Sequence, residues 1–289
     1  MDLYLRIAVF FIILAIGAIV GVMINKYRKS RILKAVPEET RIEVLRKYSK
    51  YGGRETKSRH TTEIILNNTA PDILLKYNYP SYCNAKSDNA DDIVFAMLDF
   101  VCDNFRHDGN TPIRGNGSLV GVVRSYEKMD SKTNCRGLSL ILAEVLRING
   151  VKARHVTCKP YEEPFSDCHV VVDCIMPSGA RIMLDPTYRL YLTDDNGEYV
   201  SISKLREGII EGKSFHPNAD ASYNGGAFNC DDYIEYMTKN VLRFNANYIL
   251  NDTDSSMTEI ELIPSGYSVD GYRKSVQYTT DPDYFWDIM

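Results

Sequence analysis

Cys135, His169 and Asp185 have the types and the order from which a thiol nucleophile, its base and an orienting acid can be assembled. A thiol becomes a useful nucleophile when it is ionised, and the free N–H groups and dipole of a helix's first turn stabilise the thiolate. Asn134 can cap a helix beginning at Cys135 and running to about Ile148 (CRGLSLILAEVLRI), which Asn149-Gly150 stops, so Cys135 falls in that first turn. A base must then reach the sulfur, and a third group must hold the base. A lone cysteine on a helix is more often a small buried hydrophobe, the reading that suits Cys83 and Cys102. His169 and the Asp185-Pro186 pair downstream set Cys135 apart.

Three strand-like runs must position the base and the acid. Val151 to Lys159 (VKARHVTCK) alternates in polarity, whereas Cys168 to Met176 (CHVVVDCIM) is apolar at most positions, as in a strand buried on both faces. Ala180 to Leu184 (ARIML) returns after a Pro177-Ser178-Gly179 turn, most simply as an antiparallel hairpin, and Asp185-Pro186-Thr187 ends it. His169 near the start of one strand and Asp185 at the end of its partner would then meet at one sheet edge. Cys158, Cys168, His169 and Cys174 lack the paired CxxC spacing of a zinc site, and alternate strand positions face apart. His155 and His107 read as structural or surface residues, and Arg154 as a buried ion pair or carbonyl cap. Upstream, Asp91 to His107 (DDIVFAMLDFVCDNFRH) is a helix by the spacing of Ile93, Met97, Phe100, Val101 and Phe105, and Pro37 to Lys50 is a short surface helix with basic residues in its last turn. The stretch from Tyr51 to about Asp88 has no clear periodicity.

The strings NCRGLSLILAEVLRINGVKARHV, DCHVVVDC and RIMLDPTYR resemble the core of the transglutaminase-like superfamily. The resemblance covers roughly residues 91 to 210. It maps the family's helix-start cysteine to Cys135 and its Gly-x-x-Ala-Arg segment to Gly150, Ala153 and Arg154. Its histidine falls on His169 and its Asp-Pro on Asp185 and Pro186. The fold implied is α+β and papain-like, with the Cys-bearing helix packed on an antiparallel sheet. The chemistry implied is a Cys-His-Asp thiol enzyme acting on amide bonds of a protein or peptide, as peptidase or amidase or as an amine-accepting acyltransferase, with hydrolysis slightly favoured. No cofactor or metal is implied: animal-type calcium clusters have no counterpart, and Asp194-Asp195-Asn196-Gly197-Glu198 reads as a hairpin turn. Two departures stand out. Val170 and Val171 follow His169 where many relatives carry an aromatic residue, and the single tryptophan, Trp286, is far from the upstream position of some relatives' oxyanion donor. The Cys135 N–H supplies one donor, and Asn134 and Ser131 are weak candidates for the second. Those departures motivate an alternative reading, a catalytically idle binding or scaffold protein that keeps the fold.

The remaining sequence bounds place and partners. A net charge of −4 without a basic stripe in the body of the chain disfavours nucleic acid as a partner. Seven scattered cysteines cannot all pair and form no disulfide framework. Ile7 to Ile24 run without a charged side chain, a helical length close to the ~30 Å hydrocarbon core, and the flank after it makes a poor signal-peptide cleavage site. A single-pass anchor is expected. Lys26, Arg28, Lys29, Arg31 and Lys34 on its C-terminal side place the body of the chain in the cytoplasm by the positive-inside rule, against three Asn-x-Ser/Thr triplets that weigh little. The expected organisation is anchor and basic flank over 1–34, linker or extension over 35–90, core over 91–210 and a C-terminal accessory region over 211–289. The aromatic and acidic C-terminal stretch is expected to pack onto the core.

Overall fold

Each end of the Cys135 helix carries the residue that sets it. Asn134 Oδ1 accepts from the Gly137 N–H at 3.1 Å, and Gly150 takes the left-handed conformation that ends the helix. The computed structural model describes residues 38–53, 70–83, 89–114, 117–161, 167–247, 259–269 and 273–287, with Gly17 alone before them. The expected anchor therefore lies, but for Gly17, outside the described residues, and among those described no helix is long and apolar enough to cross a membrane.

Among the described residues, the helices before the first strand include α1 (Glu38–Lys47), α2 (Tyr79–Cys83) after a 3-10 turn, α3 (Asp92–Asn104), α4 (Leu119–Lys128) and α5 (Cys135–Ile148). Then come β1 (Lys152–Lys159), β2 (His169–Ile175), β3 (Arg181–Leu184), β4 (Leu192–Thr193), α6 (Ile202–Glu211), β5 (His216–Pro217) and α7 (Cys230–Asn240). Strands β6 (Arg243–Asn247), β7 (Glu259–Leu262) and β8 (Val276–Thr279) and helix α8 (Pro282–Trp286) complete the fold. Six strands form one sheet in the order β3-β2-β1-β6-β7-β8. The hairpin of β2 and β3 is as expected, with Val172 opposite Leu184. The expectation of a purely antiparallel sheet fails only at β7 and β8, which run parallel. Residues 211–289 thus supply three strands to the same sheet as β1.

Apolar packing on both faces explains a second difference. β1 was expected to alternate, yet every residue after Lys152 is buried. Leu138, Ile141, Leu142 and Val145 of α5 join α3, α4, Val172 and Cys174 in one core. Val156, Cys158 and Val171 face a second core with Leu205 of α6, Tyr233 and Met237 of α7, and Phe285 and Trp286 of α8. The charged side chains on the central strands are paired, which offsets their desolvation. Arg154 reaches Asp173 at 3.2 Å and the Phe285 carbonyl at 3.0 Å, and Arg181 holds Asp173 through two bonds of 2.7 Å. Glu261 receives Lys159 at 2.6 Å and Arg243 at 3.0 Å, tying β1, β6 and β7 together.

Two local departures bear on the site. The α3 segment leaves the helix at Phe105, which is extended, so Arg106, His107 and Asp108 fall outside the helix expected to reach His107. Their backbone pairs instead with Thr133: Thr133 N–H donates to the Arg106 carbonyl at 3.0 Å and Asp108 N–H to the Thr133 carbonyl at 2.7 Å. Gly137 permits that approach, since a Cβ there would stand 2.0 Å from Thr133 Oγ1.

Candidate functional site

Cys135 opens α5 and is half-buried, and Ser139 one turn on donates to the Val170 carbonyl at 2.8 Å, fastening the helix over β2 beside His169. His169 and Asp185 are both buried, and His169 Nε2 lies 2.6 Å from Asp185 Oδ2. That contact leaves Nδ1 of His169 free to act on Cys135. Of the three residues named from sequence, His169 and Asp185 are thus in direct contact, and Cys135 is one of the groups whose proximity raises the imidazole's pKa. Asp185 is itself held: its Oδ1 accepts from Thr187 N–H at 2.9 Å and its Oδ2 from the Tyr233 hydroxyl at 3.0 Å.

The electrostatics separate Cys135 from the other cysteines. Burial alone would push its thiol up. Hydrogen bonds from His107 and His169, the charge of His169 and the Val170 N–H outweigh burial and bring it down to about 6. Burial likewise opposes the charged form of His169, but the Asp185 carboxylate and the Cys135 sulfur raise it to about 10. A thiolate–imidazolium pair is the result. Burial pushes the thiols of Cys102 and Cys168 up to about 12 and about 11 and those of Cys158, Cys174 and Cys230 upward as well. His155 is buried and, through desolvation and three nearby arginines, falls to about 3. It is a structural residue, as expected.

His107 is where sequence reasoning falls short. Read as structural or surface, it is the first of the groups that bring the Cys135 thiol down against burial. Its ring Nδ1 lies 3.1 Å from the Tyr223 hydroxyl, and its backbone N–H and carbonyl are bound by the Asn224 side chain at 2.9 and 3.1 Å. No local pattern in the sequence signals this, because the pairing with Thr133 and Asn224 is non-local. Of the weak donor candidates, Asn134 commits its side-chain oxygen to the helix cap and Ser131 is exposed in a left-handed conformation. Trp286 packs on Phe244 and Phe285, away from Cys135.

Aromatic residues absent after His169 come from elsewhere. The Tyr236 ring meets His169 edge-on at 5.4 Å, and Tyr188 lies 6.0 Å away. Tyr188, Phe228, Tyr233 and Tyr236 line a cavity of about 360 Å³. Pro186 and Thr187, on the other side of the same turn, line a more polar cavity of about 530 Å³ with Arg106, Arg189 and Asn224. Among the described residues no group of three or more His, Cys, Asp or Glu is placed to hold a metal ion. Asp194 receives the N–H groups of Asn196 and Glu198 at 2.9 Å, forming the turn expected there.

The family model described as the transglutaminase-like superfamily matches residues 78–186. Over that part the chain is similar to a transglutaminase-like core. The match spans Cys135, His169 and Asp185 and ends one residue past Asp185, so the α7 tyrosines lie outside it. No curated protein matches the chain. Among solved structures, the chain is similar to a candidate cysteine protease of Cytophaga hutchinsonii, at 17% identity and a TM-score of 0.31 over 55% of each chain. A candidate protease of Parabacteroides distasonis is similar at 14% identity and a TM-score of 0.28, over 45% of this chain and 28% of that one. A TGase is similar at 14% identity and a TM-score of 0.29, over 58% and 37%. The chain thus spans about half or less of the length of these structures.

Proposed function

We propose that this chain is a membrane-tethered thiol enzyme that cleaves or transfers amide bonds of proteins or peptides. The reading rests above all on one observation, a helix-start thiol lowered to about 6 beside an imidazole whose far nitrogen lies 2.6 Å from a buried carboxylate. Cys135 attacks the substrate carbonyl as thiolate. His169, already protonated, gives its proton to the departing amine, and Asp185 orients the ring and stabilises its charge. The neutral imidazole then takes a proton from water, which attacks the thioester and restores the thiolate. Amine in place of water would give acyl transfer; hydrolysis is the favoured outcome. The apolar run Ile7 to Ile24 and its basic flank support a single-pass anchor with the body of the chain on the cytoplasmic side.

Labelling the full chain with a thiol-reactive probe tests the enzyme reading without a known substrate. Wild type is expected to label at Cys135 near pH 7 much faster than free cysteine, and His169→Ala at about the free-thiol rate. Equal, slow labelling of both would leave the idle binding-protein reading. Cell fractionation of the full chain against one beginning at residue 35 tests the anchor, and retention of both in the soluble fraction would refute it. An impermeant maleimide applied to intact cells tests the side: labelling before lysis would reverse the orientation.

A further inference from the structure

We propose that His107 is the second oxyanion donor of this site, acting with the Cys135 backbone N–H. The inference rests on the thiol-enzyme reading above and adds a catalytic residue to it. His107 and His169 both act on the Cys135 thiol to lower it, and they are built differently. His169 is backed by a buried carboxylate at 2.6 Å. His107 is backed by a phenol, with its Nδ1 3.1 Å from the Tyr223 hydroxyl, and no hydrogen bond joins its ring to a carboxylate among the described residues. A hydroxyl that donates to Nδ1 occupies that lone pair and places the ring hydrogen on Nε2. With the hydroxyl as donor, Nε2 is an N–H donor without a free lone pair. Such a ring can hold negative charge on an adjacent oxygen.

Its position is fixed tightly enough for that task. The bridge to Thr133 anchors His107 two residues before the nucleophile, and the Asn224 side chain grips its backbone on both sides, at 2.9 and 3.1 Å. Asn224 holds a left-handed conformation, φ 50°, to do so. When the thiolate attacks, the sulfur–carbon bond forms and the carbonyl π pair moves onto oxygen. That oxygen sits one bond beyond the carbon now attached to sulfur, so a donor that reached the sulfur before attack reaches the oxygen after it. The first-turn N–H of Cys135 supplies the other hydrogen bond. As the adduct collapses, the pair returns to carbon and the leaving group departs with its bonding electrons.

The test compares two reactions of the same thiol in the full chain. p-Nitrophenyl acetate acylates Cys135 through an oxyanion and releases p-nitrophenolate; iodoacetamide alkylates it by displacement of iodide, with no oxyanion. Both rates are measured at a pH where the thiol of each variant is fully ionised, as read from thiolate absorbance. In His107→Ala the acylation rate is expected to fall about 10²–10³-fold, the usual loss for one oxyanion donor, with alkylation changed less than about threefold. His107→Gln, which keeps an N–H at similar reach, is expected to recover most of the acylation rate, whereas His107→Phe is not. Acylation and alkylation falling together, or acylation unchanged in His107→Ala, would overturn the proposal and leave the enzyme reading standing. A wild-type thiol no more reactive than free cysteine in either reaction would overturn both.

Discussion

Replacing Asp185 with asparagine keeps the side chain's shape and removes its charge, and the surrounding hydrogen bonds dictate how the amide must sit. Oδ1 accepts from the Thr187 N–H at 2.9 Å, so the amide oxygen takes that place. The NH₂ group then occupies the Oδ2 position and points at His169 Nε2 and the Tyr233 hydroxyl, at 2.6 and 3.0 Å. Nε2 is forced to accept, the ring hydrogen moves to Nδ1, and Nδ1 can no longer take the thiol's proton. Without a charged partner the thiol returns from about 6 toward its ordinary 9.0. At pH 7 the thiolate fraction falls from about 90% to about 1%, so alkylation slows about 100-fold, and amide turnover falls further, by about 10⁴ in all for a wrong tautomer. Iodoacetamide rates across pH 4 to 10 report the midpoint directly. The wild-type rate is expected to rise through about 6, with the charged pair persisting until His169 loses its proton near 10. An Asp185→Asn midpoint within about half a unit of wild type, in protein that melts normally, would refute the argument that Asp185 charges His169 and so ionises Cys135.

Three other substitutions probe the supports of the site. Tyr233→Phe removes the hydroxyl that donates to buried Asp185; a loss of about 1–3 kcal/mol in urea stability is expected, together with a raised alkylation midpoint. Gly137→Ala puts a methyl group 2.0 Å from Thr133 Oγ1, and about 1–3 kcal/mol of strain is expected, with a drop in acylation larger than the drop in alkylation because His107 moves with Thr133. Glu261→Ala strips the carboxylate from Lys159 and Arg243, both buried; denaturant unfolding should show a loss of about 3–5 kcal/mol, whereas exposed Lys213→Ala should leave the midpoint within experimental scatter.

The parts of the fold governed by near neighbours are legible in the sequence. Asn134 and Asn149-Gly150 mark the ends of α5, and the Pro177-Ser178-Gly179 turn marks the hairpin that brings His169 to Asp185, because caps and turns depend on residues a few positions apart. The burial of β1 is not legible from its alternating types: Arg154, Thr157 and Lys159 read as solvent-facing until Asp173 and Glu261, strands away, provide their partners. α4 is legible in part: Leu119, Val122, Val123 and Tyr126, all buried, recur at helical spacing after the Ser118 cap. The site divides in the same way. Cys135, His169 and Asp185 each sit in a short recognisable string, whereas His107 and Tyr233 are placed by tertiary pairing across many residues, which leaves no periodic trace.

Tyr233 follows Asp185 by 48 residues, and Asn224 follows the His107 it clamps by 117. During synthesis, the α5 helix and its hairpin emerge well before either support exists. A nascent chain in that state holds Cys135 without a clamped His107 and with Asp185 lacking its Tyr233 donor. The hydrogen bonds that hold Asp185 and His107 are therefore completed only by segments made after the α5 helix and its hairpin.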